Sequence, residues 1–254
     1  MIFALKWIWG LTLILLLVPG QVLLAKRAEQ KADREARATE TRPTTHKVPG
    51  PPPYVLTPHE TKKILPHYDR KVFFQHLKTR FPKYQEHFLE AAEQHDLPWK
   101  LLASQAYQES HWNHRAKSPT GVRGLMMLTR RTAASLGIKN RLDPVRSIHG
   151  GAKYLARLQE RIPRAVFPAD RTFFALAAYN VGFGHIQDAR ILARRENKNP
   201  NKWRDMKHIL PLLSEKEYYQ SLRYGYARGE EPVRYVERIR AYHSLLEQSH
   251  PHQS

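Results

Sequence analysis

The chain has no cysteine in its 254 residues. That excludes disulfides, thiolate metal centres, cysteine nucleophiles and a cysteine-borne lipid anchor. Acid is also scarce: 23 Asp and Glu face 42 Lys and Arg, which leaves a formal net charge of +19. Such an excess implies an anionic partner, whether nucleic acid, an acidic membrane surface or an acidic wall polymer. No alternating strand, hairpin signal or internal repeat is visible, and no Gly-rich phosphate loop follows a strand. What is present is a hydrophobic share of 41%, enough for a core, and 26% charged residues, which call for solvated segments as well. The length fits one large domain or two small ones.

Three regions are expected. Residues 1–25 form a hydrophobic leader with Lys6 as its sole charge and an apolar run from Leu11 to Val18. A basic start, an apolar centre and a terminal Ala25 resemble a secretory signal peptide. Left uncleaved, the leader is close to the ~20 residues that span a bilayer. Signal peptide and membrane anchor both stay open, and an exported, periplasmic and membrane-associated protein is expected. Residues 26–63 read as a charged and then Pro-rich linker, with Pro43, Pro49, Pro51, Pro52, Pro53 and Pro58 breaking any regular element. Residues 64–250 read as one globular, all-α domain, because apolar residues recur at helical spacing throughout.

Within that domain, Pro98 suits a first helical turn. Leu102, Ala106 and Glu109 then fall at i, i+4 and i+7 on one face. A carboxylate on an apolar face, with Tyr107 and Trp112 as neighbours in sequence, is desolvated, and desolvation raises its pKa as a general acid near neutral pH requires. Between Leu97 and Arg190 there are four other carboxylates. Asp143 and Asp170 read as helix caps, and Glu160 and Asp188 as solvated residues beside arginines. No second carboxylate is therefore evident for an ordinary retaining or inverting glycosidase.

Gln108-Glu109-Ser110, the loop Ser118 to Met127 with Gly124-Leu125-Met126, and Ala177-Ala178-Tyr179-Asn180-Val181-Gly182 together resemble the lytic transglycosylase domain, a lysozyme-like and mainly helical fold. The resemblance runs from about Leu97 to Leu246. It extends through Leu210-Pro211-Leu212-Leu213-Ser214, Tyr224 to Gly229 and Arg234-Tyr235-Val236 towards a membrane-bound branch. The family commonly has Gln where Met127 stands, and that branch usually carries a solute-binding domain where this chain has leader and linker. The resemblance implies cleavage of the β-1,4 bond between N-acetylmuramic acid and N-acetylglucosamine in peptidoglycan strands. Glu109 would be acid and then base, with the muramic C6 hydroxyl closing a 1,6-anhydro ring. It also implies substrate contacts from Ser110, Met126, Met127, Tyr179, Asn180 and Tyr235. Core packing competes as a reading for Met126, Met127 and Tyr235, and Gly121, Gly124 and Gly182 read as backbone devices.

His111 and His114 lack a third ligand at metal spacing, so no metal and no organic cofactor are expected. A monomer is expected. A hydrolytic muramidase and an inactive wall-binding scaffold are the competing functions. Nucleic-acid binding rests on charge alone and is opposed by the leader.

Overall fold

The computed structural model describes residues 55–250, so the leader and most of the linker lie outside the described residues. Eleven helices are described: α1 (Pro58–Ile64), α2 (His67–Thr79), α3 (Gln85–Gln94), α4 (Trp99–Ser110), α5 (Arg130–Ser135), α6 (Pro144–Arg161), α7 (Arg171–Val181), α8 (Phe183–Arg195), α9 (Trp203–Ile209), α10 (Lys216–Tyr219) and α11 (Glu230–Ser249). Among the described residues there is no strand; two isolated bridges, Lys117 to Arg123 and Arg123 to Leu128, tie the long loop after α4. None of the described helices is long and apolar enough to cross a membrane.

Pro58 does not break a helix; it starts α1, where its missing N–H costs nothing. Thr57 and Glu60 close a capping box around it, with the Glu60 N–H donating to Thr57 Oγ1 at 3.3 Å and the Thr57 N–H donating to Glu60 Oε2 at 2.9 Å. Just upstream, buried Leu56 donates its N–H to Ser244 Oγ on α11 at 2.7 Å. Residues ahead of Ile64 thus pack against α11.

α4 is the central element. Every residue from Trp99 to Tyr107 is buried, as is Ser110, because α3 covers one side and α11 the other. Even Lys100 is buried, its ammonium held by Glu247 Oε2 and the His250 carbonyl, each at 2.7 Å. A charge taken out of water is tolerated only when paired in this way. Pro98 stands at the cap position, one residue before α4, with extended backbone. The helix ends where His111 and Trp112 both adopt the left-handed region, at φ 52° and 53°. The Trp112 indole pins this turn by donating to the Ala103 carbonyl at 2.9 Å. Its ring packs against Tyr107, Phe73 and Phe81.

Two acidic residues differ from expectation. Asp143 caps α6 as expected, accepting from the Arg146 N–H at 2.8 Å. Asp170 sits at the start of α7 but makes no cap bond there; its Oδ2 accepts from the Trp203 N–H at 2.8 Å and so caps α9. Asp188 is buried, not solvated, because its Oδ2 accepts from the Tyr224 N–H at 2.7 Å and anchors that segment onto α8. Thr129 caps α5, and Gly137 ends it with φ 77°.

The loop from Asn113 to Thr129 depends on Gly124. Its φ is 86°, and a Cβ there would stand 1.9 Å from the Arg141 carbonyl oxygen. Gly124→Ala adds both strain and a backbone clash, so we expect destabilisation by about 2–3 kcal/mol. A lowered denaturant midpoint with an unchanged slope is the expected measurement; an unaltered midpoint contradicts this account of the loop.

Candidate active site

Glu109 is the penultimate residue of α4, on the short stretch of that helix that keeps access to solvent. Leu102 and Ala106, on the same face, are completely buried. Two influences act on the carboxyl: burial, which pushes it up, and the Tyr235 hydroxyl, which donates to Oε1 at 2.5 Å and pulls it partly back. Burial dominates and the pKa is pushed up to about 8. Glu109 is therefore mainly protonated at neutral pH, in the form a general acid needs.

Tyr235 reaches Glu109 from α11, 126 residues away in sequence. Its position on the apolar stripe buries the ring, and its hydroxyl is satisfied twice. It donates to Glu109 and accepts from Gln105 Nε2 at 3.2 Å. Gln105, one turn before Glu109 on α4, is fully buried. A donor on the phenol oxygen leaves the phenol proton free to point at Glu109. Sequence reasoning missed Gln105, because an isolated Gln in a helix gives no sign of a partner on another helix.

Tyr179, near the end of α7, completes the group. Its hydroxyl donates to the Met126 carbonyl at 2.8 Å, and its ring lies 5.0 Å from that of Tyr154. Burial first, and the Glu109 carboxylate next, hold both the Tyr179 and the Tyr235 phenols well above their ordinary range. Both stay protonated donors beside the acid.

The other candidate residues are placed differently. The Ser110 hydroxyl is buried and offers its proton to the carbonyls of Leu125, at 2.9 Å, and Ala106, at 3.1 Å. It fastens the loop to α4. The Met126 side chain is completely buried against Gly151, where a Cβ would meet it at 2.5 Å, and its N–H donates to Ser147 Oγ at 3.1 Å. The Met126 carbonyl, not its thioether, is the group that bonds Tyr179. Met127 is half-buried with φ 44°, and Asn180 is exposed at the end of α7. Gly121, Gly124 and Gly182 all have positive φ, as backbone devices should. Tyr107 and Trp112 pack into an aromatic cluster with Phe73 and Tyr242.

Residues 86–203 match the family model of the transglycosylase SLT domain. The chain is 56% identical over 174 residues to a membrane-bound lytic murein transglycosylase F of Stutzerimonas stutzeri, covering 68% of this chain and 36% of the relative. It is 55% identical over 181 residues to a membrane-bound lytic murein transglycosylase F 2 of Alkalilimnicola ehrlichii, covering 71% of this chain and 40% of that one. The chain thus spans no more than 40% of the length of these relatives. A similar solved structure is the lytic transglycosylase Slt of Pseudomonas aeruginosa, crystallised as an inactive mutant. It has a TM-score of 0.51 at 21% identity over 70% of this chain and 26% of the other. That likeness identifies the described helices with the lysozyme-like transglycosylase fold.

The site yields two expectations. Tyr235→Phe removes a donor to the ionised carboxylate, so the Glu109 midpoint rises above about 8. Gln105→Met moves it the same way by less. Carboxyl NMR titration, with the Glu109 signal assigned by its loss in Glu109→Gln, reads both; a midpoint that falls contradicts the hydrogen-bond assignment. The second expectation concerns stability. The folded pKa lies above the ordinary value of 4.5, so the unfolded chain carries fewer protons between about 4.5 and 8 and native stability falls across that window as pH rises. Glu109→Gln removes this loss, and the stability gained over wild type grows from pH 5 to pH 8. A gain independent of pH refutes the raised pKa.

Proposed function

We propose that this chain, whose residues 86–203 belong to the transglycosylase SLT domain family, is a lytic transglycosylase that cleaves the β-1,4 bond between N-acetylmuramic acid and N-acetylglucosamine in peptidoglycan. The observation that carries the reading is Glu109 itself: a carboxyl raised to about 8, open to solvent on one side and held by Tyr235. The other carboxylates of the segment are occupied elsewhere. Asp143 and Asp170 cap helices, Asp188 is buried under the Tyr224 N–H, and Glu160 is exposed on α6.

With one carboxyl available, the reaction needs a nucleophile supplied by the substrate. Protonated Glu109 gives its proton to the glycosidic oxygen as the bond to the muramic C1 breaks and positive charge grows on that carbon. The resulting carboxylate is stabilised by the Tyr235 hydroxyl. It then takes the proton of the muramic C6 hydroxyl as that oxygen bonds to C1, closing a 1,6-anhydro ring. Glu109 ends protonated again, and no water is consumed. The half-buried setting suits both steps: burial favours the acid form before cleavage, and the Tyr235 donor keeps the carboxylate accessible after it. Exposed Asn180 and half-buried Met127 are the contacts this reading assigns to the sugar chain, while Ser110 and Met126 shape the loop. The leader places the enzyme in the periplasm at a membrane surface, and the net charge of +19 favours the anionic wall.

The test is product mass. The full chain incubated with purified sacculi is expected to release anhydro-ended fragments, each lighter by one water than a hydrolytic product. Glu109→Gln is expected to lower the rate by at least ~100-fold, as loss of a general acid–base group does. Reducing ends identify a hydrolytic muramidase instead, and unchanged release by Glu109→Gln removes Glu109 from the chemistry.

A further inference from the structure

The loop that follows Glu109 carries a concavity of about 640 Å³, which the proposed chemistry does not use. Lys117, Arg123 and Arg130 line it together with Thr120, Gly121 and Thr129, and no acid contributes to its wall. Among the described residues, none of these three cations forms an ion pair. Elsewhere in the domain exposed arginines do find acids, as Arg228 does with Glu231 at 3.1 Å. The cradle is also built rather than incidental. Its floor is braced by Arg141, whose Nη1 donates to the carbonyls of Gly121, at 3.1 Å, and Leu128, at 2.8 Å. Lys117 and Arg123 are paired across it by a backbone bridge. Burial first, and the charges of Arg123 and Arg130 next, disfavour the charged form of Arg141. Four cations thus stand close together without a counter-charge.

Such a cluster is relieved by an anion, and the position of the loop identifies which one. Ser110, the residue after the acid, bonds the Leu125 carbonyl, and Tyr179 bonds the Met126 carbonyl. Thr129 is three residues beyond Met126, within about 11 Å along the chain, so the cradle belongs to the same loop that Ser110 and Tyr179 hold. A glycan strand lying over Glu109 projects from its muramic units peptides that end in free carboxylates.

We propose that the Lys117–Arg123–Arg130 cradle is a binding site for the carboxylates of the peptide stem, and that it sets a preference for peptide-bearing over naked glycan strands. This rests on the proposed transglycosylase reading. The site holds the substituent of the strand while Glu109 acts on its backbone. Arginine is suited to the task, since its planar fork matches a carboxylate.

Two measurements on the detergent-purified full chain test this. The first compares kcat/KM on peptide-bearing strands with that on the same strands stripped by an amidase. In Arg123→Ala/Arg130→Ala the ratio is expected to fall about five-fold, through KM, as the loss of two partly exposed ion pairs gives. Arg123→Lys/Arg130→Lys recovers most of it. An unchanged ratio in the alanine variant overturns the proposal. The second measures equilibrium binding of a soluble stem tripeptide, with inorganic phosphate as competitor at fixed ionic strength. Weakened tripeptide binding in the alanine variant, with phosphate competing only at much higher concentration, supports a peptide site. Phosphate binding as tightly as the tripeptide overturns it. Tripeptide binding requires no turnover, so it reports on the cradle even where Glu109→Gln retains activity and the catalytic reading fails.

Discussion

The hydrogen bond from Tyr235 to Glu109 joins the last helix of the domain to its central one. α11 packs more extensively on α4 than on any other helix, and it also contacts α7 and α1. The acid is therefore enclosed only when the carboxy-terminal helix is docked. Burial by that docking raises the Glu109 pKa, and the phenol delivered by the same helix limits the rise. Without Tyr235 the ionised Glu109 carboxylate would be stranded in an apolar setting. Without the burial the carboxyl would be ionised at neutral pH.

The surroundings serve to hold this pair. Lys100, paired with Glu247 and the His250 carbonyl, ties the first turn of α4 to the end of α11. Arg238, one turn beyond Tyr235, donates to Gln108 Oε1 at 3.0 Å and meets Asp69 at 3.0 Å, so α2 is fastened to the same seam. These partly buried contacts add register more than net stability, since desolvating charged groups offsets much of their attraction.

How much of this could be read from the sequence depended on range. Glu109 was legible because Leu102 and Ala106 share its helical face, and Asp143 because capping is decided within three residues. The glycines of the loop were legible for the same local reason. Failures came where a partner lies far along the chain. Asp188 looked solvated beside Arg190, yet its partner is the N–H of Tyr224, 36 positions on. Asp170 looked like the cap of its own helix, yet it caps one that starts at Trp203. Tyr107 and Trp112 were assigned to the acid by adjacency, but two consecutive left-handed residues turn the chain and send Trp112 into the aromatic cluster. Pro58 was misread for a different reason: proline density argued for a linker, while the Thr57 and Glu60 capping box made that proline a helix start.

Ser110 shows how a short motif can be held together by bonds within the protein. The hydroxyl follows the acid directly and is spent on the Leu125 carbonyl, so the position of the loop is set by the residue next to Glu109. The next carbonyl, that of Met126, is held by Tyr179. Gly124 lets the chain pass against the Arg141 carbonyl, where no side chain fits. Ser147 secures the Met126 N–H from α6. The Glu-Ser, Gly-x-Met and Ala-Tyr-Asn-x-Gly blocks are thus three parts of one clamp, with backbone carbonyls as its joints. A change in any block shifts the loop relative to the acid. Their occurrence together carries more information than any one of them alone, because each supplies a donor, an acceptor or a space that the others require.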